Sequence, residues 1–118
     1  MHGVHDWNEG IRTFVPDYSR LDDPEFARTA FDASPLASVG TWKSPVLLVH
    51  GDDDRNVSFL QSINLIAALR KQNVEVEQLV FPDEVHDFLR NESWIRAYKA
   101  STDFLNRKLR DRRGSGTQ

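Results

Sequence analysis

No cysteine occurs in the 118 residues, which excludes a disulfide framework and thiol chemistry while leaving the compartment open. No apolar run approaches the roughly 20 residues that span a bilayer. The opening Met1 to Trp7 has neither a basic n-region nor an apolar h-region, so it does not read as a secretory signal. No charge sign dominates: fifteen Lys and Arg are mixed along the chain with eighteen Asp and Glu, for a net charge of −3. That balance gives no electrostatic case for a nucleic-acid partner or an anionic membrane. There is no internal repeat. With 39% hydrophobic residues, the chain has the means to bury one modest core.

Prolines and glycines are few, five and six, and their positions mark boundaries. Pro16, Asp22-Asp23-Pro24 and Ser34-Pro35 divide Asp6 to Ser44 into turns. Pro24, set between Asp23 and the run Glu25 to Phe31, predicts a short helix with Asp23 as N-cap and proline in the first turn. His2 to His5 reads as the tail of a strand. Ser44-Pro45 opens Val46 to Val49, which lacks polar alternation and ends at Gly51, the pattern of a parallel strand buried on both faces.

Leu60, Ile63, Ile66, Ala67 and Leu69 recur at helical spacing, predicting a helix over Ser58 to Gln72 with Ser58 as cap and Asn73 as stop. Val74 to Phe81 alternates like a strand near a sheet edge with one wet face. From Glu92 to about Arg112, Trp94 or Ile95, Tyr98, Thr102, Leu105 and Leu109 form one stripe, predicting a long amphipathic helix that closes the fold. Strand, helix, strand, helix implies a right-handed parallel crossover. Residues 113–118 read as a flexible tail, rich in glycine and small polar residues.

The residues that carry chemistry lie in two segments. One is Val46-Leu47-Leu48-Val49-His50-Gly51-Asp52-Asp53-Asp54-Arg55-Asn56-Val57, and the other is Phe81-Pro82-Asp83-Glu84-Val85-His86. An Asp on the loop after an apolar strand, then a His on the loop after the next strand, match the last two members of a triad ordered nucleophile, acid, base. Both loops fall at the carboxyl edge of a parallel sheet, where open α/β sheets bind ligands. A serine hydroxyl attacks only when a His accepts its proton, and an Asp on the other ring nitrogen fixes the tautomer and stabilises the imidazolium. No Gly-x-Ser-x-Gly occurs in these residues, so the nucleophile is expected upstream of them.

At these positions the chain resembles the C-terminal part of the catalytic domain of the prolyl oligopeptidase family of serine peptidases, especially its dipeptidyl-peptidase and acylaminoacyl-peptidase branches. The resemblance runs from His2-Gly3-Val4-His5-Asp6-Trp7-Asn8 through Ser34-Pro35-Leu36, Ser44-Pro45 and His50-Gly51-x-x-Asp54-x-x-Val57 to Phe81-Pro82-x-Glu84-x-His86 and the final helix. It implies an α/β fold, the C-terminal portion of an α/β-hydrolase with about three parallel strands and flanking helices. On this reading residues 1–112 form a partial peptidase domain without its nucleophile-elbow half, since a whole α/β-hydrolase takes on the order of 200 residues or more. The resemblance further implies Asp54 as triad acid, His86 as triad base, and Asn56 and Val57 as lining of the substrate pocket. It implies a parent that hydrolyses peptide bonds through an acyl-enzyme, no cofactor, and negligible turnover by this chain alone.

Other features carry plainer readings. Asp52 and Asp53 read as turn residues, and the acidic run lacks the Gly and Glu of a calcium loop. His2 and His5 lie at a strand end, not on one helical face, so no metal site is expected there. Arg107, Lys108, Arg110, Arg112 and Arg113 suit the solvated C-terminal end of a helix. Trp7, Trp42 and Trp94 read as packing residues. Two alternative functions stay open: a non-catalytic module that self-associates through an exposed sheet edge, and a piece of an esterase-type α/β-hydrolase.

Overall fold

The computed structural model describes residues 3–17 and 19–114. Its centre is a parallel pair of strands, β1 (Val46–Gly51) and β2 (Val76–Phe81), in register from Val46 opposite Val76 to Gly51 opposite Phe81. Parallel neighbours cannot be joined by a tight turn, and here the crossover is a helix, Phe59–Lys71. In chain order the helices are α1 (Trp7–Phe14), α2 (Pro24–Asp32), α3 (Phe59–Lys71) and α4 (Asn91–Gly114). Two short 3₁₀ turns, Ser19–Asp22 and Pro35–Thr41, complete the connections.

The helix boundaries follow local chemistry. Asp6 caps α1 by accepting from the Asn8 amide, Asp23 caps α2 by accepting from Glu25, and Ser58 caps α3 by accepting from Leu60. Just past α3, Asn73 takes a left-handed conformation at φ 57°, one that asparagine tolerates better than most residues. Helix α1, in a stretch that reads from sequence as turns, is held at its start by Ser34, whose hydroxyl accepts from the Trp7 amide and donates to the Ala30 carbonyl.

The core sits between α3 and the sheet. Leu48, Leu65, Ile66, Leu69 and Val74 are buried together, with Leu36, Val39, Trp42, Val46 and Val76 packed around them. The inward face of α3 differs from the periodicity reading: Gln61 and Ser62 are buried while Leu60 and Ile63 are half exposed. Those two polar side chains are turned inward because each meets a partner. The Gln61 side-chain oxygen accepts from the His5 and Asp6 amides, and the Ser62 hydroxyl meets His50.

Several further expectations need correction. Among the described residues the sheet has two strands, not about three. Gly3 to His5 is irregular, because the His5 backbone is bonded to Gln61 and Leu36 instead of to a strand, while His2 lies outside the described residues. β1 is only partly buried along most of its length, since its second edge has no strand partner among the described residues. The stripe on α4 faces solvent: Ile95, Tyr98, Leu105 and Leu109 are 55–65% exposed, and the helix instead buries Ser93, Ala97 and Phe104. Helix α4 continues to Gly114, and residues 115–118 of the expected tail lie outside the described residues.

The described part of the chain is flat, with extents of 55 × 38 × 17 Å and a radius of gyration of 16.6 Å. A compact domain of this length has a radius near 13.5 Å, roughly, so much apolar surface stays uncovered.

Candidate active site

Two loops leave the carboxyl ends of the paired strands side by side. The Asp52 amide donates to the Phe81 carbonyl at 3.1 Å, the Asp53 amide to the Glu84 carbonyl at 3.1 Å, and the Asp83 amide to Asp52 Oδ1 at 2.8 Å. Asp52 and Asp53 are therefore turn residues with a structural task, and Asp83 completes the turn in a left-handed conformation at φ 57°. Gly51 lets the loops approach: a Cβ there would collide with the carbonyl group of Glu84.

This stitching brings Asp54 and His86 together. Asp54 Oδ2 lies 2.8 Å from His86 Nδ1, and Asp54 Oδ1 accepts from the amides of Asn56 and Val57, each at 2.8 Å. The Asp54 side chain is 4% exposed and that of His86 28%, so the acid is buried and the imidazole reaches the surface. Burial on its own raises the Asp54 pKa. The Val57 amide, the His86 ring and the Asn56 amide outweigh it and hold the carboxyl below the usual carboxylate range. With an ionised acceptor at Nδ1, the neutral His86 ring carries its hydrogen there, which makes Nε2 the nitrogen that takes up a proton.

Glu84 fixes the base loop to the start of α4. Its buried carboxylate accepts from the Leu89 amide at 2.8 Å, the Arg90 amide at 3.3 Å, the Arg90 Nε at 3.1 Å and the Ser93 hydroxyl. The Ser93 bond, with the two amides and the guanidinium, keeps its carboxyl below the usual range against the desolvation that opposes ionisation. Phe81, Phe88, Trp94 and Tyr98 then form a ring series from β2 to α4, with centroids 4.7 to 5.7 Å apart.

A cavity of about 270 Å³ lies in front of these loops, lined by Leu48, His50, Asp54, Val57, His86 and Tyr98 among others. Val57 is thus at the cavity, whereas Asn56 is exposed and outside its lining, contributing its amide to Asp54. His5 also lines the cavity. It is buried, its Nδ1 has no hydrogen-bond partner among the described residues, and burial together with His50 pushes its pKa down. Among the described residues, no three His, Cys, Asp or Glu side chains converge on a metal-sized site. Sequence reasoning missed His50, Ser62 and Glu84 as members of this network; the only signal for His50 and Glu84 was their place in the two motifs.

The prolyl oligopeptidase family model matches residues 1–112. The chain belongs to the prolyl oligopeptidase family. Within it, the chain is 34% identical over 73 residues to the acylamino-acid-releasing enzyme of Mus musculus, covering 62% of this chain and 9% of that protein. It is 30% identical over 84 residues to dipeptidyl-peptidase 5 of Porphyromonas endodontalis, covering 71% of this chain and 12% of that protein. The chain therefore spans about a tenth of the length of these curated relatives. The acylaminoacyl peptidase of Pyrococcus horikoshii superposes with a TM-score of 0.75 over 91% of this chain and 19% of its own, at 22% identity. That likeness identifies the fold as part of the α/β-hydrolase arrangement used by the prolyl oligopeptidase family.

Proposed function

We propose that Asp54 and His86 are the acid and base of a Ser-Asp-His triad in a serine peptidase that cleaves peptide bonds through an acyl-enzyme. The observation that carries this reading is the 2.8 Å contact between His86 Nδ1 and an Asp54 carboxylate whose other oxygen is clamped by two backbone amides. Asp54 holds His86 in the Nδ1–H tautomer, and Nε2 takes the proton from a serine hydroxyl as it attacks the scissile carbonyl. The same proton then passes to the leaving amine, and water repeats the cycle on the ester. Ionisation of Asp54 at neutral pH stabilises the imidazolium formed in both halves. Val57, at the cavity wall, and Asn56 beside it are assigned to the substrate side of the site.

The serine comes from outside these 118 residues, because they contain no nucleophile elbow. The chain alone therefore has negligible turnover. Fluorophosphonate labelling and peptide hydrolysis on the purified chain test this: neither should rise above background. Labelling that persists through purification and disappears in His86→Ala would contradict it.

A second reading is favoured by the open edge of β1 and the solvent-facing Ile95, Tyr98, Leu105 and Leu109 of α4. Unpaired strand edges and contiguous apolar faces drive association, so two copies of the chain pair through them. Size-exclusion chromatography with light scattering should then give a dimer or larger species, and a strictly monomeric chain at high concentration contradicts this reading.

A further inference from the structure

Asp54 has a second imidazole on it. His50, the penultimate residue of β1, places Nε2 3.2 Å from Asp54 Oδ2 and 3.0 Å from the Val57 carbonyl, and Nδ1 2.6 Å from the Ser62 hydroxyl. A carbonyl and an ionised carboxylate only accept, so Nε2 carries the hydrogen and shares it between them. The bare Nδ1 then accepts from Ser62, itself buried on α3. Phe59 meets the His50 ring edge-on, with centroids 5.4 Å apart, and the imidazole is 10% exposed. Each Asp54 oxygen consequently receives two donors: Oδ1 two amides, Oδ2 two imidazoles.

We infer that His50 is a positioning residue for the triad acid, fixing the rotation of the Asp54 carboxylate and limiting how strongly its Oδ2 binds His86. This rests on the triad reading above. Two donors on one oxygen compete for the same electron density, so removing one strengthens and shortens the bond to the other. Ser62 holds the His50 ring at the angle at which its Nε2–H reaches Asp54.

The test uses the full ¹⁵N-labelled chain and reads the His86 Nδ1–H proton resonance, which moves downfield as that hydrogen bond strengthens. His50→Leu removes the competing donor and should move the resonance downfield. His50→Gln puts an amide N–H near the position of Nε2 and should return it to the wild-type value. A residue that merely filled space would give no such rescue. If His50→Leu is folded by its amide spectrum and the resonance stays put, or if the Gln variant follows the Leu variant, the inference is overturned. Should His50→Leu fail to fold, Ser62→Ala decides: freeing the His50 ring should move the resonance the same way, and an unchanged resonance overturns the inference. Asp54→Asn separates the two levels. A His86 resonance unaffected by Asp54→Asn sinks the triad reading itself, whereas one that responds to Asp54 but not to His50 or Ser62 sinks only the role given to His50.

Discussion

Gly51 leaves room for the Glu84 backbone: a Cβ on Gly51 would strike the carbonyl group of Glu84, and that same carbonyl accepts the Asp53 amide. The close approach of the loop that carries the acid to the loop that carries the base therefore depends on glycine at this position. Because the obstacle is main chain, no rotamer change relieves it. Gly51→Ala should separate the loops and cost roughly 1–3 kcal/mol, as overpacking does elsewhere. Urea unfolding would show the lower midpoint, and a midpoint equal to wild type would mean the loops part without cost.

The pH dependence of folding follows from the shifted groups. Asp54 and Glu84 have folded pKa values below their unfolded ones, so each contributes stability that is present above about pH 4 and lost as pH falls through its folded value. His5, held neutral by burial, acts in a higher window. Its lowered pKa means the unfolded chain binds the proton more readily, so stability falls as pH drops below about 6.5. Denaturant titrations from pH 8 to 3 should show both declines, with His5→Phe removing the upper one and Asp54→Asn shrinking the lower. A stability flat across this range would contradict the assignment.

Burial ranks two leucines against the periodicity reading, which leaves Leu65 off the α3 stripe and sets Leu105 on the α4 stripe. Leu65 on α3 is fully buried, and Leu65→Ala should cost about 2–5 kcal/mol. Leu105 on α4 is 55% exposed, and Leu105→Ala should change the stability of a monomer by about 0.5 kcal/mol or less. A large effect of Leu105→Ala that grows with protein concentration would show that a second copy covers the α4 stripe.

Glu84 anchors the base loop without touching the triad. Glu84→Ala removes the acceptor for the Leu89 and Arg90 amides and for Ser93, and should speed amide hydrogen exchange over the base loop and the first turn of α4, leaving α3 protected. Exchange that rose equally in α3 would indicate global destabilisation instead.

Much of this was legible in the sequence. An unbroken apolar run ending at Gly51, a helical period and an alternating run placed both strands and the helix between them, and with them the loops of Asp54 and His86. The network around those residues was less legible. Periodicity weighs hydrophobicity alone, so it turned Leu60 and Ile63 inward, where the structure turns Gln61 and Ser62 to meet His5 and His50. The α4 stripe reads as core-facing for the same reason; a helical period records that a face is apolar, not that anything covers it. Helix α1 was hidden among turn residues because its cap, Asp6, and its support, Ser34, lie far apart in sequence.

The central claim is that Asp54 holds the His86 ring as a base, and imidazole ¹⁵N–¹H correlation spectra of the folded chain test it most directly. In its neutral form the His86 ring should carry its hydrogen on Nδ1, giving a low-field proton resonance that is lost or moves upfield in Asp54→Asn. A His86 ring carrying its hydrogen on Nε2, or a spectrum unchanged by Asp54→Asn, would contradict it.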